Sequence, residues 1–273
     1  MVATMIDAIG IVAVRHRHRR SSAVPTPVEL AERLGIELDQ WQRDALMAPQ
    51  SGKLLLASRQ AGKSTTASID VLHTALYKPG SLSLILSPSE RQSKRLLRTV
   101  RKHYAKLADE FPVRTMGQLS IELESGSEIH ALPGSEETIR GFSAVNKLVI
   151  DEASLVEDDL YQSVRPMLAV SGGEMTAMTT PRGKRGWFYR EYTDGGADWH
   201  RARVTAYDIP RISRAWLNAE RKKIGEWWFS QEYLCEFVDT DDQLYPTDLV
   251  DAAESDDVAS FGIPMLGGGG WAS

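Results

Sequence analysis

Ser58-Arg59-Gln60-Ala61-Gly62-Lys63-Ser64-Thr65 follows Ala57 and the apolar run Leu54-Leu55-Leu56, and leads into a stretch that can be helical. These are the parts a polyphosphate needs. Backbone N–H groups of such a loop wrap the phosphates, a lysine meets their outer charges, and a serine hydroxyl holds Mg²⁺. A helix beginning near Gly62 points the positive end of its dipole at the same anion. A nucleoside triphosphate is the ligand this spacing implies, and hydrolysis the activity. One position departs from the usual pattern: Ala57 stands where glycine is expected, which gives up free access to φ > 0. The plainer alternative is a Gly-Lys-Ser turn opening an ordinary helix.

A second run supports the first. Leu148-Val149-Ile150-Asp151-Glu152-Ala153 is apolar and ends in two carboxylates. It reads as a buried parallel strand. Asp151 at its C-terminal end would bind Mg²⁺ through water, and Glu152 could polarise the attacking water as a general base. Acids also gather where a helix begins, so this run gains its weight from the loop upstream.

The elements that must position these groups follow from local signals. Thr26-Pro27-Val28-Glu29 predicts a capped helix ending near Gly35. A second helix starts at Asp39. Strands are predicted at about residues 53–57 and 82–86, with a helix between them stopped by Pro79-Gly80. A long helix follows over about 90–108. Its cations Arg91, Arg95, Arg98, Lys102 and Lys106 recur every three or four residues and share a face. That face could contact a phosphate backbone or simply be solvated. Residues 118–132 alternate around Gly126 and read as a hairpin. Beyond the acidic strand, 155–168 reads as a helix and 174–180 as a strand. Residues 187–192 and 201–206 read as further strands, and 214–238 as one aromatic-rich helix. The alternation of continuous apolar strands with helices predicts an α/β fold with a mainly parallel central sheet covered on both faces.

With 273 residues the chain can hold one large domain or two small ones. The expected division is a basic arm over 1–24, a core over 25–185, a small C-terminal lid-like subdomain over 186–246 and a tail over 247–273. A net charge of −5 argues against a free-standing, tight nucleic-acid binder. The lone Cys235 rules out an internal disulfide framework, fits a reducing compartment and reads as core. No stretch predicts a membrane span, and the run Arg15 to Arg20 reads as a solvated arm.

Five ordered stretches resemble one family. Ser87-Pro88-Ser89-Glu90-Arg91-Gln92-Ser93 resembles the motif after the second core strand of helicase-like translocases, and Met178-Thr179-Thr180-Pro181-Arg182-Gly183 resembles their third, coupling motif. Leu38-Asp39-Gln40-Trp41-Gln42 resembles an adenine-recognition element. Residues 228–237, Trp-Phe-Ser-Gln-Glu-Tyr-Leu-Cys-Glu-Phe, look like the segment closing the ATPase domain of the large terminase subunit of tailed bacteriophages. The loop Arg-Gln-Ala-Gly-Lys-Ser-Thr is typical of that family too. A strand at about 82–86 lies between the loop and the acidic strand, and such an inserted strand, with a glutamate after the acid, resembles the RecA-like (ASCE) class of P-loop NTPases.

The resemblance implies ATP and Mg²⁺ as ligands. Lys63 would hold the β- and γ-phosphates, and Ser64 with Asp151 the metal. Gln42 would read adenine, although Asp39 and Gln42 are also spaced as a capping pair. Thr179 and Thr180 would sense the γ-phosphate. Arg140, in Ile139-Arg140-Gly141-Phe142, would be an arginine finger acting on a neighbouring subunit, and Arg59 a loop-positioning or coupling residue. Arg91, Arg95, Arg98 and Lys102 would be candidates for DNA contact. The implied assembly is a homo-oligomeric ring in the host cytoplasm, not secreted, that pumps double-stranded DNA into a procapsid with a portal protein and a terminase small subunit. Relatives carry a nuclease domain after the ATPase. The aspartates after Val238 read as solvated linker charge, so an ATPase part alone, without DNA cleavage, is the expectation. Competing readings are a superfamily-2-like helicase or translocase, and a nucleotide-binding prophage remnant without activity.

Overall fold

The structure, a computed structural model, describes residues 23–134, 139 and 141–238. Most of the basic arm, Arg140 and the aspartate-rich tail lie outside the described residues.

The capping box at Thr26 forms as its residue types require. Glu29 N donates to Thr26 Oγ1, and Thr26 N donates to Glu29 Oε2 at 2.6 Å, opening α1 (Pro27–Arg33). Asp39 opens α2 (Gln40–Met47). Alternation then begins with β1 (Gly52–Ala57), α3 (Lys63–Tyr77), β2 (Leu82–Ser87) and α4 (Glu90–Tyr104). A meander of β3 (Val113–Met116), β4 (Ser120–Leu123) and β5 (Glu128–Pro133) follows. The chain continues through β6 (Lys147–Asp151), α5 (Asp158–Ala169), β7 (Glu174–Thr179), α6 (Gly186–Thr193), β8 (Trp199–Val204), α7 (Arg214–Ile224) and α8 (Glu226–Glu232).

Among the described residues, eight strands join one sheet in the order β3-β4-β5-β2-β6-β7-β1-β8. From β5 to β8 along that order the neighbours are parallel, and β3 and β4 add an antiparallel edge. The strand period of two sends side chains to two separate cores. Leu55, Ile85, Val149 and Met178 face a core shared with α1 to α4. Leu54, Leu56, Leu84, Leu86, Leu148 and Ile150 face the other, closed by α5 and α6.

Three expectations change. The strand between β1 and β6 in space is β7, whereas β2 lies on the far side of β6. Residues 187–192 are helical despite their aromatic content. Trp187 stacks on Tyr161 with ring centroids 4.0 Å apart, and Asp158 Oδ1 accepts from Trp187 N at 2.7 Å, so tertiary packing overrides strand propensity. The single helix expected over 214–238 breaks at Gly225, which sits at φ 84, and helix α8 stops at Glu232. β8 is hydrogen-bonded to β1 as an edge of the main sheet.

The strand ends opposite the phosphate loop are tied by a buried ionic network. Asp70 on α3 accepts from Lys147 Nζ at 2.8 Å and from Thr176 Oγ1 at 2.8 Å, with Lys53 Nζ at 3.5 Å. Burial alone would raise the Asp70 carboxyl, but the two lysine charges outweigh it and hold it far below the usual carboxylate range. Asp70→Ala would leave two buried ammonium groups with only the exposed carboxylate of Glu174 beside them. We expect it to lower unfolding free energy by about 3–5 kcal/mol, read as a fall in the urea midpoint at unchanged m. A loss under about 1 kcal/mol, the range of an exposed pair, would contradict a structural role for the network.

Candidate active site

β6, β7 and β1 are neighbours, so their C-terminal ends meet at one rim of the sheet. A cavity of about 380 Å³ opens there. Its walls are the loop from Arg59 to Thr65, Asp151, Glu152 and Thr180, with Gln92, Arg95 and Leu96 of α4 opposite. Segments far apart in the chain thus converge on one cleft at the carboxyl end of a parallel sheet, where such folds place ligands.

The loop takes its shape from a few positions. Ala57 completes the register of β1 with Val204, and Ser58 N donates to Val204 O at 2.9 Å. Positive φ falls at Gln60 (64°) and Gly62 (100°), not at Ala57. The missing glycine is therefore harmless: position 57 is still strand. At Gly62 the requirement is strict, since a Cβ there would come within 2.9 Å of Gln42 Nε2 in addition to the backbone strain.

Lys63 is folded back on its own loop. Its Nζ donates to Ala57 O at 2.6 Å, Ser58 O at 3.1 Å and Thr180 Oγ1 at 3.2 Å, which uses all three ammonium protons. Burial lowers its pKa, against the pull of Glu152 and Asp151. Thr180 thereby touches the lysine. Thr179 is buried instead, where its Oγ1 donates to Thr180 O at 2.8 Å and accepts from Ser154 N at 3.3 Å. Of the two threonines, only Thr180 lines the cleft.

Asp151 and Glu152 stand across from the loop. Burial, and then the charge of Glu152, pushes the Asp151 carboxyl up to about 6. Asp151 Oδ1 accepts from Glu152 N at 3.0 Å, and Glu152 adopts φ 51°, a strained value that turns the chain sharply out of β6. Ser64 is exposed in the cleft, and its hydroxyl has no protein partner among the described residues. A hydroxyl, a carboxylate and room for phosphate and water make an all-oxygen set of the kind Mg²⁺ prefers.

Gln42 is 3 % exposed; its Oε1 accepts from Asp39 N at 2.8 Å, and its Nε2 donates to Thr66 Oγ1 at 2.9 Å and Gly62 O at 3.3 Å. Both amide protons are engaged within the chain, where Gln42 caps α2 and braces the phosphate loop. Arg59 lines the cavity and donates to Glu232 of α8, with Nε to Oε2 at 2.5 Å, and that hydrogen bond raises its pKa. Arg91, Arg98 and Lys102 lie exposed along α4. Arg95, expected with them, lines the cleft. Arg140 lies outside the described residues; its neighbours Ile139 and Phe142 pack on the α5–α6 core. Cys235 is buried beneath the site, and burial pushes its thiol up to about 12, so it is inert core.

Two partners lay beyond sequence reasoning. Glu232 has no local signal linking it to Arg59, 173 positions away. Arg95 carried one clue that the face argument overlooked: it stands two turns past the end of β2, a neighbour of β6.

Residues 54–251 match the family model for the large terminase subunit, T4likevirus-type, N-terminal. This chain belongs to the large terminase subunit family. It is 23 % identical over 223 residues to the large terminase subunit of Thermus virus P23-45, a match covering 68 % of this chain and 46 % of that relative. The terminase chain thus spans under half the length of the curated relative. Its structure is similar to an ATPase-domain variant of the Thermus phage P74-26 large terminase, with TM-score 0.71 at 21 % identity, covering 78 % of this chain and all of that one. It is also similar to the large terminase of another thermophilic bacteriophage in complex with ADP, with TM-score 0.63 at 15 % identity, over 74 % of this chain and 54 % of that one. The terminase fold is therefore the RecA-like α/β class expected above.

Proposed function

We propose that this terminase chain hydrolyses ATP between its phosphate loop and the Asp151-Glu152 pair, and that the hydrolysis drives double-stranded viral DNA into a procapsid. The observation that carries the reading is the convergence of Lys63, Ser64, Asp151 and Glu152 on one cavity. The fold shared with large terminase ATPase domains, and the ADP held by the second thermophilic-phage relative, support it.

The chemistry follows from what each group can do. Loop N–H groups take the phosphates. Lys63 exchanges the Ala57 and Ser58 carbonyls for phosphate oxygens, and in doing so leaves Thr180. Ser64 and Asp151 would hold Mg²⁺, which would supply charge neutralisation at the phosphates. Glu152 accepts the proton of the attacking water. Release of Thr180 is felt at the end of β7 and, through Thr179, at Ser154, which gives the two threonines their coupling role. Arg59, tied to Glu232, links the loop to the C-terminal helices. Arg140 is the finger, acting on the nucleotide of the adjoining subunit in a ring that also meets the portal protein and the small subunit. Arg91, Arg98 and Lys102 meet the DNA backbone, with weak and salt-sensitive affinity given the acidic chain.

The test is hydrolysis per subunit as a function of protein concentration, with and without duplex DNA. The rate should rise with concentration. Mixing Arg140→Ala with Lys63→Ala should recover part of it, because each variant keeps what the other lacks. A concentration-independent rate with no recovery on mixing would exclude the trans finger. A wild-type chain that releases no phosphate under any of these conditions would exclude the ATPase reading.

A further inference from the structure

The cations of the cleft are not equally engaged. Lys63 is held by the Ala57 and Ser58 carbonyls and Arg59 by Glu232. Arg95 lines the same cavity, yet its guanidinium makes no hydrogen bond or ion pair among the described residues. Its backbone is well placed and firmly held. Ser89 caps α4 through Gln92 N, Ser93 Oγ donates to Leu132 O at 2.6 Å, and Leu96 and Leu97 are 1 % exposed in the core. The strand that launches α4 is paired with β6, which carries Asp151. The cleft therefore has carboxylates on the β6 side, the lysine on the loop side, and an unpaired guanidinium on the third wall.

A face argument groups Arg95 with Arg91, Arg98 and Lys102, but those three do not line the cavity. We propose that Arg95 contacts the terminal phosphate of the nucleotide bound in its own subunit, and is not part of the DNA-facing stripe. This rests on the ATP reading above. A guanidinium offers a planar fork of donors matched to phosphate oxygens. Placed opposite Lys63, it would meet charge that builds on the terminal phosphate as the bond to the leaving group breaks. Arg95 would then be a cis counterpart of the finger supplied by the neighbour.

The test compares wild type, Arg95→Ala and Arg95→Lys, with Lys94→Ala as a control on the same helix. Calorimetry with ATPγS and ADP in Mg²⁺ buffer, turnover without DNA, and affinity for duplex DNA are measured for each. Arg95→Ala should weaken ATPγS about tenfold or more while leaving ADP within about twofold, and should lower turnover on the order of 10²-fold. Arg95→Lys should recover part of both, Lys94→Ala should match wild type, and DNA affinity should not change. Unchanged ATPγS affinity and turnover in Arg95→Ala would overturn the inference, as would loss of DNA affinity alone. If wild type binds neither nucleotide, the ATP reading itself fails and takes this inference with it. If wild type binds both and Arg95→Ala is indistinguishable from it, only the inference fails.

Discussion

Glu152→Gln should leave ATP bound and its hydrolysis lowered about 10³-fold, within the range set by losing a general base. The substitution keeps shape and size and removes only the carboxylate that accepts a proton. The position is well defined. Glu152 leaves β6 at φ 51° with its N–H on Asp151 Oδ1, so the backbone that aims the side chain is fixed by its neighbour. Gln occupies the same backbone at equal strain, and the loop that wraps the phosphates is untouched. Binding and chemistry therefore separate: nucleotide affinity within about threefold of wild type, and single-turnover hydrolysis nearly gone. Turnover within about tenfold of wild type would assign the base elsewhere.

Asp151→Asn should show the opposite pairing of effects, a more stable protein that has lost its metal-dependent activity. The Asp151 carboxyl is raised from 3.8 to about 6 by burial and by the adjacent Glu152 charge. A raised carboxyl contributes stability that is fully present below the unfolded value, near pH 4, and is lost as pH rises through about 6. At pH 7 the ionised form costs the nucleotide-free protein on the order of 3 kcal/mol. Asparagine removes that charge. Its melting temperature at pH 7 should exceed that of wild type by on the order of 5–10 °C, and the gap should close near pH 4.5. ATP turnover should fall to background at the same time, because an amide cannot replace a carboxylate toward Mg²⁺. Equal stability of the two proteins at pH 7 would show that Asp151 carries no such burden.

Both results express one physical trade. The cleft gathers two acids, with Asp151 raised by burial and by the charge of Glu152, and it holds strained backbone at Gln60 and Glu152. Such features reduce the stability of the protein, and on the proposed function a bound cation would offset the repulsion between the two acids.

The parts of this site that could be read from sequence were those set by local physics. The phosphate loop announces itself because a strand, a short glycine turn and Lys-Ser must be contiguous to wrap an anion. The acidic strand does so because an apolar run must precede the carboxylates for β6 to be buried. The capping box at Thr26 and the hairpin at Gly126 have the same character. What sequence could not supply were partnerships across space. The meeting of Lys63 with Thr180 requires β7 to insert between β6 and β1, an ordering no local pattern encodes. The helix at 186–193 reads as a strand by composition and is decided by the stack of Trp187 on Tyr161. Arg95 shares a periodic stripe with its helix neighbours, and only the position of α4 over the cleft separates it from them. Gln42 was legible twice over, as a cap and as an adenine reader; its hydrogen bonds to Asp39, Thr66 and Gly62 make the cap and a brace on the loop.

The most direct measurement is a crystal structure of the protein grown with ATPγS and Mg²⁺. The account requires the nucleotide in the cleft beneath α4, Lys63 Nζ drawn off Ala57 O and Thr180 onto phosphate oxygens, and the metal between Ser64 and Asp151. Nucleotide bound at another part of the sheet, or Lys63 still on the Ala57 carbonyl with triphosphate present, would contradict it.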